Sequence, residues 1–145
     1  MTKKRHLYAL SVAFMLAQPA FAKCGFSSVV VNGRILNLQG QTAAIAVTLQ
    51  TPKGDFTKEG EVSEGSFSVA APFETFSSSG FFGDKCKNQP RTVHLTVRTG
   101  ERLLLDQQFR FSDAVERDSR SKFIYRLRQR IEVDAGQNVL PIGTK

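Results

Sequence analysis

The run TVHLTVRTGERLLLDQQFRF, residues 92–111, decides the fold class of this chain. Val93, Leu95 and Val97 alternate with Thr92, His94 and Thr96. That period of two puts apolar side chains on one face of an extended strand and polar ones on the other. Thr99-Gly100 turns the chain, because glycine accepts the positive φ of a tight corner. Leu103, Leu105, Gln107, Phe109 and Phe111 then share one face of the strand that returns. Two strands of the same period around a glycine turn predict a β-hairpin.

The same periodicity extends in both directions. Val29, Val31 and Ile35 mark a first strand, with Gly33 as a candidate bulge point. After a turn around Gly40, Ile45, Val47 and Leu49 alternate with Ala46, Thr48 and Gln50, and Pro52 to Asp55 forms the next turn. Lys58 to Glu64 is charged and exposed, with Glu59 and Glu61 at the spacing of a solvated edge strand. Phe67 and Val69 face away from Ser66 and Ser68 in a short strand that runs into Ala71, and residues 72–90 are irregular. Toward the C-terminus, Asp113 to Asp118 fits one helical turn, with Asp113 and Glu116 at capping-box spacing. Phe123, Tyr125, Leu127, Gln129, Ile131 and Val133 mark one long last strand, and residues 135–145 show no periodicity. The pattern predicts an all-β, antiparallel β-sandwich of about seven strands, immunoglobulin-like, as one domain over residues 23–134 with a C-terminal tail over 135–145.

The first 22 residues are read separately. Lys3, Lys4 and Arg5 precede an apolar run from Leu7 to Ala17, and Ala20 and Ala22 stand at the spacing a signal peptidase reads. A run of that length is too short to span a bilayer. The expectation is a secretory signal cleaved after Ala22, and a periplasmic or secreted protein that does not span the membrane. Lys23 stands where a lipid-anchored Cys24 would want a small residue. With 41% hydrophobic and 23% charged residues in 145, the composition is that of a globular domain and excludes wholesale disorder.

The leader holds three of the 20 basic residues and none of the 13 acidic ones, so the remainder carries 17 against 13, or +4. That excess is mild, and export removes nucleic acid as a natural target. Cys24 and Cys86 remain in an exported chain, which points to one disulfide between them, with two free thiols or an intermolecular bridge as the alternatives.

A resemblance accompanies this pattern. Gly33-Arg34-Ile35, Gly40-Gln41, Ala44-Ile45-Ala46-Val47-Thr48-Leu49 and Glu64-Gly65-Ser66-Phe67-Ser68-Val69 follow the order G-x-V/I…G-x-P-x-x-x-A-x-V-x-L…D-G-x-F. That order resembles the carboxypeptidase regulatory-like and transthyretin-like sandwiches over roughly residues 28–70. Thr42 stands where that line often has proline and Glu64 where it usually has aspartate. The stretch from Phe76 to Cys86 is similar to the mid-domain cysteine region of secreted transthyretin-like proteins. The resemblance implies an accessory or binding module, and a fold more than a function. Relatives that hydrolyse a purine product rely on histidine and a Tyr-Arg-Gly-Ser-like ending. This sequence ends Pro141-Ile142-Gly143-Thr144-Lys145, so that activity is not implied.

Catalysis fares poorly by elimination. His94 is the sole histidine after residue 22, and its place in mid-strand alternation turns it to solvent or to a cross-strand neighbour rather than to a nucleophile. No clustered His, Cys or carboxylate pattern points to a metal, and no glycine-rich loop points to a nucleotide cofactor. The expectation is a protein that is not an enzyme and holds no cofactor or metal.

Binding features are stronger. In a continuous last strand Lys122, Arg126, Arg128 and Arg130 share the face opposite Tyr125 and Leu127. Three arginines at i, i+2 and i+4 make a row suited to phosphates or carboxylates, which Arg102 and Arg110 broaden if the two strands pair. The competing reading is a solvated sheet face. Phe73, Phe76, Phe81 and Phe82 surround a Ser/Gly run, either as an exposed recognition loop or as a cap on one end of the sandwich. The function expected is a binding or accessory module for an envelope or extracellular protein or an anionic surface. Alternatives are a periplasmic inhibitor or immunity protein inserting the 72–90 loop into an enzyme, and a structural subunit of a surface fibre.

Overall fold

Alternation at period two becomes nine strands in a computed structural model that describes residues 24–77 and 86–136. In chain order they are β1 (Cys24–Leu36), β2 (Ala43–Thr51), β3 (Gly54–Glu61), β4 (Ser66–Ser77), β5 (Thr92–Thr99), β6 (Arg102–Arg110), β7 (Val115–Arg117), β8 (Ile124–Leu127) and β9 (Ile131–Asp134). A single helical turn, α1 (Phe111–Ala114), lies between β6 and β7. Two sheets result. One is antiparallel in the order β3-β2-β5-β6; the other runs β4-β1-β8-β7, with β9 also paired to β1.

The inward rows meet as the alternation requires. Val29, Val31 and Ile35 of β1 and Phe67, Val69, Ala71 and Phe73 of β4 face Ile45, Val47 and Leu49 of β2 and Val93, Leu95 and Val97 of β5, all buried. Each such side chain contributes roughly 1.5–3 kcal/mol by leaving water. β3 is the exposed edge the charged run predicts, and its Gly60 lies against the other sheet: a Cβ there would stand 2.3 Å from Val69 Cγ2.

Several details depart from the sequence reading. β4 continues past Ala71 to Ser77, through the first part of the segment read as irregular, because residues 72–77 go on pairing with β1. The last strand is two strands, not one. β8 pairs parallel with β1 from Ser28↔Ile124 to Val30↔Arg126, and β9 resumes at Gly33↔Ile131, so Val31 and Asn32 are matched by Leu127, Arg128, Gln129 and Arg130. The two surplus residues loop out, and the sheet is mixed rather than wholly antiparallel. In β6 the register steps from Val97↔Leu105 to Arg98↔Leu103, so Leu104 has no partner and turns inward, while Leu103 is 38% exposed. The helical turn starts at Phe111 rather than Asp113, and its N-cap, Arg110, has no side-chain cap.

Gly33 is not a bulge. It registers with Phe67, and a Cβ there would lie 2.2 Å from Phe67 Cζ and 2.8 Å from the Ile131 carbonyl oxygen. The glycine is there because an aromatic ring packs across it.

Cys24 and Cys86 form a disulfide with 5.4 Å between their Cα atoms and 62 residues of separation. The bond is consistent with an oxidising compartment outside the cytoplasm. Ala135 is buried, and its amide donates to the Leu36 carbonyl at 2.9 Å. The segment read as a leader, residues 1–22, and residues 137–145 of the tail lie outside the described residues. No helix among the described residues is long and apolar enough to cross a membrane.

Candidate functional site

Two features of the five-stranded sheet, the short β7–β8 hairpin and the disulfide, meet at one end of it. β7 and β8 register as Val115↔Leu127, Glu116↔Arg126 and Arg117↔Tyr125. The turn between them is held by Asp118. Its carboxylate accepts from the Arg120 amide at 2.8 Å and from Arg126 Nε at 2.5 Å. Those bonds, with the Arg126 hydrogen bond foremost, hold the Asp118 carboxyl below the ordinary aspartate range. Ser121 Oγ accepts from the Phe123 amide at 3.3 Å, and the Phe123 carbonyl accepts from the Ser28 amide at 2.9 Å, which fixes the turn against β1.

Tyr125 lies in register with Val29, and its ring stands 5.6 Å from Phe73 and 5.4 Å from Phe111 between centroids. Tilted and edge-on contacts of this kind suit the quadrupoles of aromatic rings. The Arg117 guanidinium sits 5.5 Å from the centre of the Tyr125 ring, and its Nη2 donates to the tyrosine oxygen at 3.1 Å. Lys122 Nζ stands 5.1 Å from the centre of the Phe123 ring. Ser27 continues the inward row of β1, is buried, and shares a 3.0 Å hydrogen bond between its Oγ and Thr75 Oγ1. Cys86 anchors the opposite wall, since the disulfide and the Asn88 amide bond to the Glu74 carbonyl, at 3.2 Å, bring Lys87 and Gln89 to the same place.

These residues line a groove of about 630 Å³, within the roughly 300–1,000 Å³ of small-ligand clefts. Among the described residues its lining carries Lys87, Arg117 and Lys122, with two aromatic rings, a hydroxyl pair and an amide.

Of the basic residues singled out in the sequence, Lys122 is in this groove and the others are elsewhere. Arg126 binds Asp118, and Arg128 Nε stands 3.8 Å from Glu116 Oε2. Arg128 and Arg130 lie in the break between β8 and β9, where with Gln129, Asn32 and Ser66 they line a hollow of about 390 Å³. The three arginines therefore do not form a row on one strand. Arg102 and Arg110 belong to β6 in the facing sheet, which does not pair with β8. Arg102 Nη2 donates to the Ala135 carbonyl, and Arg110 Nη1 lies 3.7 Å from Asp113.

Phe73 is a core residue of β4 beneath Tyr125, not part of an exposed surface. Phe76 pairs through its backbone with Gly25, and Phe81 and Phe82 lie outside the described residues. His94 shares a hydrogen bond with Asp106 on the outer face of the antiparallel sheet, as a cross-strand contact. Among the described residues no three His, Cys, Asp or Glu side chains are grouped to hold a metal.

The sequence reading missed Arg117, Gln89, Lys87 and the Ser27–Thr75 pair, and took Phe123 and Tyr125 for core alone. One signal was present: a tyrosine in an inward row needs a polar partner for its hydroxyl. Compared with protein families, curated proteins and solved structures, the chain has no match.

Proposed function

We propose that this chain is an exported, non-enzymatic binding module that engages an anionic partner through the groove at the disulfide end of its five-stranded sheet. The observation that carries this reading is the convergence of Arg117 and Lys122, each beside an aromatic ring, in the same groove. Opposite charge there attracts a partner, and the apolar floor adds burial. Arg126 and Arg128 are weaker candidates because Asp118 and Glu116 already stand against them. Export is supported by the basic, apolar and small-residue segments of residues 1–22 and by the disulfide.

The test compares two charge reversals in the oxidised protein, Arg117→Glu with Lys122→Glu, and Arg126→Glu with Arg128→Glu and Arg130→Glu. Each is assayed for retention of components from the envelope fraction of its own cells. The groove pair is expected to weaken retention about tenfold or more while the strand triple keeps most of it. Loss confined to the strand triple would move the binding face to the β8–β9 break and overturn the groove.

A further inference from the structure

Beyond charge, the groove offers its partner an open strand edge, and this inference rests on the binding reading above. β4 and β7 end the order β4-β1-β8-β7, and each sends a residue into the groove, Thr75 and Arg117. Their free edges differ. The Ser28 amide is spent on the Phe123 carbonyl, so the residue opposite, Pro72, turns its backbone away from β1. Proline has no N–H to offer there, and the Glu74 carbonyl beyond it accepts from the Asn88 amide. β4 is thereby blunted at this end of the sheet.

β7 is open. The Arg128 amide donates to the Ala114 carbonyl and the Asp118 amide to the Ile124 carbonyl, both at 2.8 Å. Antiparallel pairs alternate between bonded and unbonded, so Val115↔Leu127 and Arg117↔Tyr125 are unbonded pairs. The backbone groups of Val115 and Arg117 therefore point to the free side. The Val115 amide is used by the Phe111 carbonyl of the helical turn. The Val115 carbonyl and both backbone groups of Arg117 have no partner among the described residues.

A strand laid antiparallel on β7 meets those three groups. One of its residues exchanges two hydrogen bonds with Arg117, and the residue two further on donates to the Val115 carbonyl. Residues opposite one another share a face of the sheet. The residue opposite Arg117 thus lies on the groove side, beside a guanidinium with no ion pair among the described residues. A carboxylate fits there. The next side chain falls on the other face with Glu116, where an acid is repelled. The one after it stands opposite Val115, which is buried, and is aliphatic. A second acid, two residues before the first, continues on the groove side past the end of β7, where Lys122 stands.

We infer that the groove's partner is a protein with an extended acidic segment that adds to β7 as a further strand. Its order is acid-x-acid-x-aliphatic, with x uncharged or basic.

The probe is the peptide acetyl-Glu-Thr-Glu-Thr-Val-Thr-amide, titrated into the oxidised protein by calorimetry and followed by amide hydrogen exchange in NMR spectra. Saturable binding is expected, with exchange slowed at the Arg117 amide and unchanged at the Asp118 amide, which is already bonded to Ile124. N-methylation of the second glutamate and the valine, whose amides face β7, is expected to weaken binding about tenfold or more. N-methylation of the first two threonines, whose amides face away, is expected to leave it nearly unchanged. Glutamines in place of the glutamates, or Arg117→Gln in the protein, are expected to cost about tenfold. Equal binding of the two methylated peptides would overturn strand addition while leaving the anionic groove standing. Equal binding of the glutamine peptide would overturn the acidic segment. Protection on β3 or β6 with none at Arg117 would put the strand on the other sheet and overturn the β7 edge. No binding of the probe would overturn the segment, and unchanged envelope retention by the Arg117→Glu, Lys122→Glu protein would separately remove the groove.

Discussion

The two sheets are built from the same alternation but by different routes. In β3-β2-β5-β6 the hairpins β2–β3 and β5–β6 join neighbours in sequence, and every ladder is antiparallel. In the other sheet β1 pairs with β4 and, across nearly the whole chain, with β8 and β9 in parallel. The first sheet is regular apart from one bulge. The second is interrupted at its centre, tied by a disulfide at one end, and holds the candidate site. Local hairpins reward each residue as it pairs, whereas long-range parallel pairing depends on constraints supplied elsewhere. The comparison teaches that the groove lies where the ladder is least continuous and where covalent and aromatic supports are densest.

The comparison can be broken most forcefully at the disulfide. Closing a 62-residue loop restricts the unfolded chain by about 4 kcal/mol in loop-closure entropy. Cys24→Ser with Cys86→Ser is therefore expected to lose about that much in urea unfolding. Hydrogen exchange should rise first at the Cys24 end of β1 and in β4, with β2 and β5 protected longest. Uniform loss of protection across both sheets would show that the two differ in topology alone.

A smaller effect is expected at Gly33→Ala. The added methyl meets the Phe67 ring and the Ile131 carbonyl, and overpacking of this kind costs about 1–3 kcal/mol. Thermal unfolding checks it, and Phe67→Leu in the same chain should recover part of the loss. A neutral Gly33→Ala would mean that β9 is free to shift along β1.

The smallest effect sharpens the β7–β8 turn. Asp118 is held below its ordinary range by Arg126 and the Arg120 amide. A lowered folded-state value stabilises above the unfolded value, near pH 4, and that stabilisation is lost as pH falls through the folded one. Asp118→Asn is expected to be slightly less stable than the unaltered protein at neutral pH, with the gap narrowing below about pH 4. Urea midpoints measured from pH 7 to pH 2 decide it, and a gap independent of pH would assign the effect to packing of the turn.

Much of the architecture was legible in particular residues. Val29 and Val31, Ile45 to Leu49, and Val93 to Val97 named the core rows, because each strand must choose one face for its apolar side chains. The break in the last strand was invisible for the same reason. Leu127 and Ile131 straddle a surplus of two residues, and a shift of two leaves a period-two pattern unchanged, so the inward row reads straight through. At Leu104 the slip is a single residue, and the run Leu103-Leu104-Leu105 offers an apolar side chain in either register, so sequence could not choose.

The candidate site divides along the same line. Sequence alone determined that the fold is nearly all β, which residues of β1, β2 and β5 face inward, that the chain holds two cysteines to be joined, and that Lys122 stands in a basic segment. The tertiary structure alone decided that Arg117 rests on Tyr125, that the Cys86 loop brings Lys87 and Gln89 opposite them, and that Asp118 and Glu116 engage Arg126 and Arg128. Periodicity specifies which face a side chain takes, a property of its own strand. Which charges meet depends on the pairing of strands distant in sequence, and no local pattern carries that register.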